Sequence, residues 1–315
     1  MRVVVMGTGG FILPSFKELL NSEQEIVGLI TMPKREKGRS AAERVFPLRD
    51  LAIAHKIPIY EPADINSPEG LALLRELAPD VIFVCDYGKI LSAEVISMPR
   101  YGGLNLHGSL LPAWRGAAPI NRALAAGDTR LGVSILHITP EVDAGPVVAT
   151  VSYIPSMADT AVEVESRLSR LGAPLVLDSV RRLEGGTLSA CGQDQSRVSR
   201  APKLRKEEGR LKWDRTTREV VNQYRAMQPW PKTYTTWLRP DGKGGEPVLL
   251  ILSSLEPAAG QGEPGTVLEA TGEALIVATG DGAVRIGYVQ PAGKRRMEAS
   301  AFLRGYKVKK GDILS

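Results

Sequence analysis

Apolar and polar positions along the first two-thirds of the chain fall into alternating blocks of two periods. Residues 2–6 form a short apolar run that enters a glycine turn, and residues 11–20 then repeat apolar side chains at helical spacing. Residues 26–31, 81–84 and 103–107 are further compact runs of strand length, the second bounded by Pro79 and Gly88. Helical spacing appears between them, at 48–55 and 68–77. Strands alternating with helices predict an α/β domain whose mainly parallel sheet is covered on both faces. Ligands of such sheets meet the carboxyl ends of the strands. That rule directs attention to residues 85–91 and 105–116. Residues 132–138 and 147–154 read as two later strands flanking a loop that holds Asp143, and 160–183 as a long amphipathic helix.

The pattern changes after that helix. Residues 187–210 are polar and basic with little periodicity, the character of a connection. The expected organisation is a first domain over 1–188, a linker over 189–209 and a second domain over 210–315. In the second domain a helix near 217–227 precedes short runs at 248–252, 266–268, 274–278 and 283–287, separated by Gly and Pro. These predict a small β-barrel.

A chain of 315 residues accommodates one large domain and a smaller one, and 43% hydrophobic with 24% charged residues is a globular composition. No apolar run approaches the roughly 20 residues of a membrane-spanning helix, and the opening MRVVVMGTGG lacks the sections of a secretory signal. Cys85 and Cys191 form no spacing motif, so neither a disulfide framework nor a metal site is expected. A cytoplasmic protein without metal follows as the expectation. Charge adds a second asymmetry. Residues 1–200 carry 21 Lys and Arg against 22 Asp and Glu, whereas residues 201–315 carry 19 against 13. The basic second part suits either a solvated surface or a polyanion, since Lys and Arg displace counterions from phosphates.

Gly7-Thr8-Gly9-Gly10 follows a strand and opens a helix, as a dinucleotide fingerprint does. Ile12 stands where the third glycine belongs, and no acid ends the second strand at Thr31, so a tight turn is the expected role. The segment Asn105-Leu106-His107-Gly108 is more specific. Two residues apart at a strand end, Asn105 and His107 project to one side. An Asn amide can donate to a developing oxyanion, and a His can carry a proton near neutral pH. Asp143, next to Ala144 and Gly145 where the backbone can turn tightly, is the carboxylate candidate. His137 shares the strand period of Val133 and Ile135 and reads as structural, and His55 carries no role.

Asn105-x-His107, the run HGSLLPAWRGAAPI and Asp143-x-Gly145 resemble the active-site signature of the folate-dependent formyltransferases. The resemblance implies a Rossmann-like catalytic domain followed by an OB-like barrel. It implies Asn105, His107 and Asp143 as the catalytic trio, and a folate cosubstrate, 10-formyltetrahydrofolate, as formyl donor. Cys85, Asp86, Tyr87, Gly88 and Ile90 resemble the loop that cradles the pterin through backbone groups. Ser109, Leu110, Leu111 and Pro112 resemble the folate-binding turn. In this family an acceptor amine attacks the formyl carbon; Asn105 and His107 would stabilise the oxyanion, and Asp143 would orient His107 or relay a proton.

The likeness continues through LRKEEGRLKW, MQPWPKTY, ATGDGAVRI and VQPAGKRRM, segments similar to those members whose acceptor is the initiator Met-tRNA. It implies tRNA contacts from an early loop, through Arg35, Arg39 and Arg44, and from Lys294, Arg295 and Arg296. Membrane and DNA are not expected partners. Ser40-Ala41-Ala42-Glu43 departs from the paired lysines that often follow in that loop. Acceptors of other classes, an amino-sugar nucleotide or water, use the same trio, and a non-catalytic RNA-binding module leaves the trio unexplained.

Overall fold

The computed structural model describes residues 1–33, 47–238, 247–272 and 274–315. It divides into two compact units. The first comprises Met1–Pro119, Arg130–Ile154 and Glu165–Ala201; the second comprises Ile120–Thr129, Pro155–Val164 and Pro202–Ser315.

The strands of the first unit are β1 (Arg2–Gly7), β2 (Glu25–Ile30), β3 (Ile59–Tyr60), β4 (Val81–Cys85), β5 (Gly103–His107), β6 (Leu131–His137) and β7 (Val147–Tyr153). They form one sheet in the order β3-β2-β1-β4-β5-β6-β7. β1 pairs in parallel with β2 and with β4, and β4 pairs in parallel with β5. Val3, Val4, Val5 and Met6 are fully buried, as a strand covered on both faces requires. The order reverses at β1, so the ligand crevice of such a sheet lies at the carboxyl ends of β1 and β4. The expectation of a mainly parallel sheet is met, with one addition. β6 pairs antiparallel with both β5 and β7. The chain between β6 and β7 is shorter than the dozen or so residues that a parallel crossover needs.

Helices α1 (Leu13–Leu20), α2 (Pro47–Ala54), α3 (Pro68–Leu77) and α4 (Ala93–Ser97) connect these strands. α3 shows why local sequence is enough to place a helix. The Ser67 hydroxyl accepts the Gly70 N–H at its start, and Ala78 ends it in the left-handed region at φ 43°. α5 (Pro119–Ala126) begins at the end of one segment of the first unit and continues into the second. The long helix α6 (Ala161–Glu184) packs Gly172 against Leu106 of β5, where a Cβ would lie 2.9 Å from the leucine.

The second unit is a closed antiparallel sheet. Its elements are α7 (Thr217–Ala226), β8 (Thr233–Leu238), β9 (Val248–Ala258), β10 (Val267–Thr271), β11 (Ala274–Ala278), β12 (Ala283–Pro291), β13 (Met297–Glu298), α8 (Ala299–Gly305) and β14 (Ile313–Leu314). The strand order is β10-β11-β12-β9-β8-β14. Val267 N–H donates to Asp312 O at 2.8 Å and Leu314 N–H to Gly265 O at 2.8 Å, which joins the two ends of that order into an OB-like barrel. Leu250, Leu252, Val267, Val277, Val284, Ile286 and Phe302 fill it, each contributing roughly 1.5–3 kcal/mol by burial. Both buried indoles are satisfied, Trp213 by Thr235 and Trp237 by Asp312, each at 3.0 Å.

Several segments differ from expectation. β8 was not among the predicted strands because its inward positions are Thr233 and Thr235, whose hydroxyls donate to Leu252 O and Ser315 O. Residues 189–201, assigned to a linker, belong to the first unit. Cys191 and Val147 exchange two backbone hydrogen bonds of 2.8 Å, and Arg115 donates to Ser199 O and accepts from Ala201 N–H. Pairing through the backbone leaves side chains polar and aperiodic, which is why the segment reads as a connection. Finally, 120–129 and 155–164, inside the expected first domain, belong to the second unit. There Arg122 grips both carboxylate oxygens of Glu208 at 3.0 Å, Asn121 donates to Ala226 O, and Arg225 donates to Asp159 O and Ser156 O.

Candidate active site

β5 carries Asn105 and His107 on one side, and the loop between β6 and β7 brings Asp143 to them. Asn105 Nδ2 donates to Asp143 Oδ1 at 3.3 Å, and His107 Nδ1 lies 3.5 Å from Asp143 Oδ2. Gly116 N–H donates to the same Oδ2 at 2.9 Å. The side chains of His107 and Asp143 are 6% and 11% exposed, so the pair is shielded from bulk water. On its other edge, His107 Nε2 is 3.0 Å from Trp114 O. Both neighbours of the ring are acceptors. A neutral imidazole can donate to only one of them, and a protonated one to both.

Local sequence explains how Asp143 arrives there. Its φ of 54° lies in the left-handed region, which aspartate tolerates better than most residues. At Gly145 the backbone passes so close to His137 O that a Cβ would collide with it. Gly116 combines a φ of 127° with a close approach to Ala201 O, so its N–H can face Asp143 only without a side chain. The turn after β5 is held from β6. Buried Ser134 donates to Ser109 O at 2.8 Å and accepts the Leu111 N–H at 3.0 Å.

Within that turn Ser109 donates to Ala113 O at 2.6 Å, Leu110 packs on Gly132, and the Leu111-Pro112 peptide is cis. The Ser109 hydroxyl therefore closes its own turn. The loop after β4 is tied at both ends. Thr8 Oγ1 donates to Asp86 O at 2.6 Å, and Asn66 Nδ2 donates to Ile90 O at 3.0 Å. Gly7 sits against Cys85 O, and Gly9 lies against the Asp86 carboxylate, where a Cβ would collide. The glycine turn thus serves close backbone approach to this loop. Cys85 and Tyr87 are buried, backbone included, while Gly88 has a φ of 78° and Ile90 is exposed.

Burial pushes the Cys85 thiol well up, with Asp86 and Glu165 adding to the effect. Desolvation and Asp64 push the Tyr87 hydroxyl up to about 12. Neither group is a nucleophile near neutrality. Desolvation raises the Asp86 carboxyl, and it raises Glu165 together with the nearby Asp86 charge. Burial lowers His137, whose backbone N–H pairs with Pro146 O. Asn66, Ser134 and Gln193, whose Nε2 donates to Asp143 O, are among the residues that the motif reading did not single out. Each is a polar side chain holding backbone, a role that leaves no periodic trace.

In the second unit Lys294, Arg295 and Arg296 are exposed on the turn between β12 and β13. The Arg296 guanidinium lies over the Tyr288 ring at 3.9 Å from its centre, and Gln290 Nε2 donates to Lys294 O. Arg35, Arg39 and Arg44 lie outside the described residues. Among the described residues no cluster of His, Cys, Asp and Glu is grouped to hold a metal, and no helix is long and apolar enough to cross a membrane.

Comparison with known proteins shows the family. Residues 1–180 match the family described as formyl transferase, and residues 203–307 match the formyl transferase C-terminal domain. A protein of Magnetococcus marinus named methionyl-tRNA formyltransferase is 38% identical over 99% of this chain and 98% of its own length. One of Bacillus subtilis bearing the same name is 35% identical over 99% of this chain and 97% of its own. Among solved structures, HypX from Aquifex aeolicus superposes with a TM-score of 0.66 at 21% identity, covering 98% of this chain, which spans 48% of that one. An N-formyltransferase from Helicobacter canadensis, in complex with folinic acid and dTDP-3-aminofucose, gives 0.67 at 15% identity over 92% of this chain and 99% of its own. These two likenesses concern the fold.

Proposed function

Because both halves of the chain place it in the formyl transferase family, we propose that it moves a formyl group from 10-formyltetrahydrofolate to the amino group of initiator Met-tRNA. The observation that carries the reading is the meeting of Asn105, His107 and Asp143 at the carboxyl end of β5. The acceptor follows from relatives of that name at 35–38% identity along nearly the whole chain.

The folate donor is a substrate here. The loop after β4 suits a folate because it lies beside the strand-order reversal, where ligands of such sheets bind, and exposes Ile90 as an apolar contact. When the amine attacks the formyl carbon, negative charge gathers on the formyl oxygen. An Asn105 amide has two N–H bonds; one goes to Asp143, and the other is available to that oxygen. A protonated His107 can donate to Asp143 and to Trp114 O. Passing its Nε2 proton to the departing folate nitrogen releases the Trp114 contact, and the proton lost by the attacking amine returns to the ring, so the transfer leaves His107 as it began. Asp143 keeps the ring oriented and balances its charge. For the basic turn at 294–296 the reading is contact with tRNA phosphates, which position the acceptor without reading sequence.

An acceptor assay tests this function. Purified protein with 10-formyltetrahydrofolate is offered Met-tRNA, an amino-sugar nucleotide, or water alone. Formyl transfer to Met-tRNA at least about 100-fold faster in kcat/KM than to the others is the expected result, a difference of about 2.7 kcal/mol in transition-state stabilisation. Preference for the sugar nucleotide or for water would overturn the acceptor and leave the donor standing.

A further inference from the structure

We propose that Gln193 is a positioning residue for formyl transfer, its side-chain amide clamping the turn that presents Asp143, with Arg115 fixing the amide from behind. The proposal rests on the reading of Asp143 as a member of the catalytic trio. Gln193 Nε2 donates to Asp143 O at 2.8 Å and to Gly145 O at 2.7 Å. Its Oε1 accepts from Arg115 Nε at 3.0 Å. One side chain therefore spans both sides of Ala144 and fixes the two peptide groups that set the direction of the Asp143 carboxylate.

The orientation of the amide follows from its neighbours. Two carbonyl oxygens face one end and a guanidinium N–H faces the other, so only nitrogen toward the turn and oxygen toward Arg115 satisfies all three. Arg115 is 1% exposed, and its NH1 lies 3.5 Å from Glu141 Oε1, in the same turn. Its NH2 is buried and has no hydrogen-bond partner among the described residues. Backbone pairing secures Arg115 as well, through Ser199 O and Ala201 N–H. The neighbouring residues close the loop of contacts, since Trp114 O faces His107 and Gly116 N–H reaches Asp143. Residues 193–201 thus brace the turn from outside the motifs that carry the chemistry.

A left-handed Asp143 held by no regular strand needs such a brace. Release of the turn would displace a carboxylate that meets three donors at 2.9–3.5 Å. Misplacement of a reacting group by about 1 Å costs on the order of 100-fold in rate.

Gln193→Glu separates this role from simple packing. The substitution keeps size and strengthens the partner of Arg115, but it removes both N–H donors. Turnover on Met-tRNA is expected to fall about 10- to 100-fold, with the KM values for donor and acceptor within about threefold of wild type. On an Asp143→Asn background the same change should lower kcat by less than about twofold, because groups acting as a unit lose activity once. Amide exchange at Gly116, whose N–H donates to Asp143, should quicken in Gln193→Glu, and this readout needs no substrate. Gln193→Met, without donors or charge, should repeat the kinetic result if the glutamate variant is unstable. A kcat within threefold of wild type in the folded variant, fully additive losses with Asp143→Asn, or unchanged Gly116 exchange would each overturn the proposal. Wild-type protein inactive on Met-tRNA would remove the functional reading alone, and Gly116 exchange would then decide for Gln193.

Discussion

At the end of β5 the polar atoms of Asn105, His107 and Asp143 face one another at 3.3–3.5 Å, whereas on the turn after β12 Lys294, Arg295 and Arg296 face solvent. The first arrangement is largely shielded and touches backbone at Gly116 N–H and Trp114 O; in the second Arg296 is laid on the Tyr288 ring. Groups that stabilise charge in a transition state act through fixed position in a shielded place. Charges that meet a polyanion act through number and release of counterions, and gain little from rigidity. Substitutions in the two regions should therefore fail in different observables, turnover for one and salt-dependent affinity for the other.

The largest effect is expected from the pair at the centre. His107→Ala should lower kcat by two to four orders of magnitude, about the value of a positioned proton donor. Asp143→Asn added to it should change little more, and additive losses in log rate would break the unit. Asn105→Ala comes next. Loss of an oxyanion donor costs about two to three orders of magnitude in kcat, while donor affinity, measured by titration, should stay near wild type. Weakened donor binding with turnover intact would move Asn105 from the reaction to the folate pocket.

Smaller effects belong to the barrel. Replacing Lys294, Arg295 and Arg296 together by Ala should flatten the slope of log affinity for Met-tRNA against log salt by about two to three units, since each phosphate contact contributes about 0.7 to 0.9. Formylation of a small amine surrogate should be nearly unchanged. A tRNA affinity indifferent to salt and to all three changes would end the contrast between the regions. The smallest effect sharpens it. Glu23 pairs with Arg181 in the first unit, yet both are about half exposed, at 55% and 52%. The Arg181 guanidinium holds the Glu23 carboxyl down, from 4.5 to about 2. Its contribution to stability is present above the unfolded value of 4.5 and fades as pH falls toward 2. Glu23→Gln should lower Tm only by a degree or so near neutrality, and the gap should close in acid. Such a result would tie the contrast to burial and not to which unit holds the charge.

Much of the fold was legible where side chains declare their surroundings. β1, β4 and β5 are apolar runs, and α3 carries its own cap in Ser67. The shared side of Asn105 and His107 was legible because a two-residue spacing on a strand is a geometric statement, and both reach one carboxylate, that of Asp143, which lies in a loop outside that spacing. What escaped is structure made by the backbone or by polar side chains turned inward. Thr233 and Thr235 point into the barrel with their hydroxyls paired, so β8 lacks an apolar signature. Residues 189–201 fold through main-chain hydrogen bonds, and Gln193 sits among them as an ordinary polar residue. Ser109, part of the expected folate turn, spends its hydroxyl on Ala113 O. Only the three-dimensional neighbours reveal that such a side chain is occupied.

The threading of the chain sets terms for recombination between relatives. The second unit takes residues from three separate stretches, and Arg122 and Asn121 lie in the earliest of them. A chimera that keeps 1–201 and borrows a foreign tail would separate Arg122 from the Glu208 carboxylate and Asn121 from the Ala226 carbonyl that they meet here. Grafts should succeed in proportion to how well the donor restores those two partners, and an exchange confined to the tail is a poor unit of inheritance for this protein.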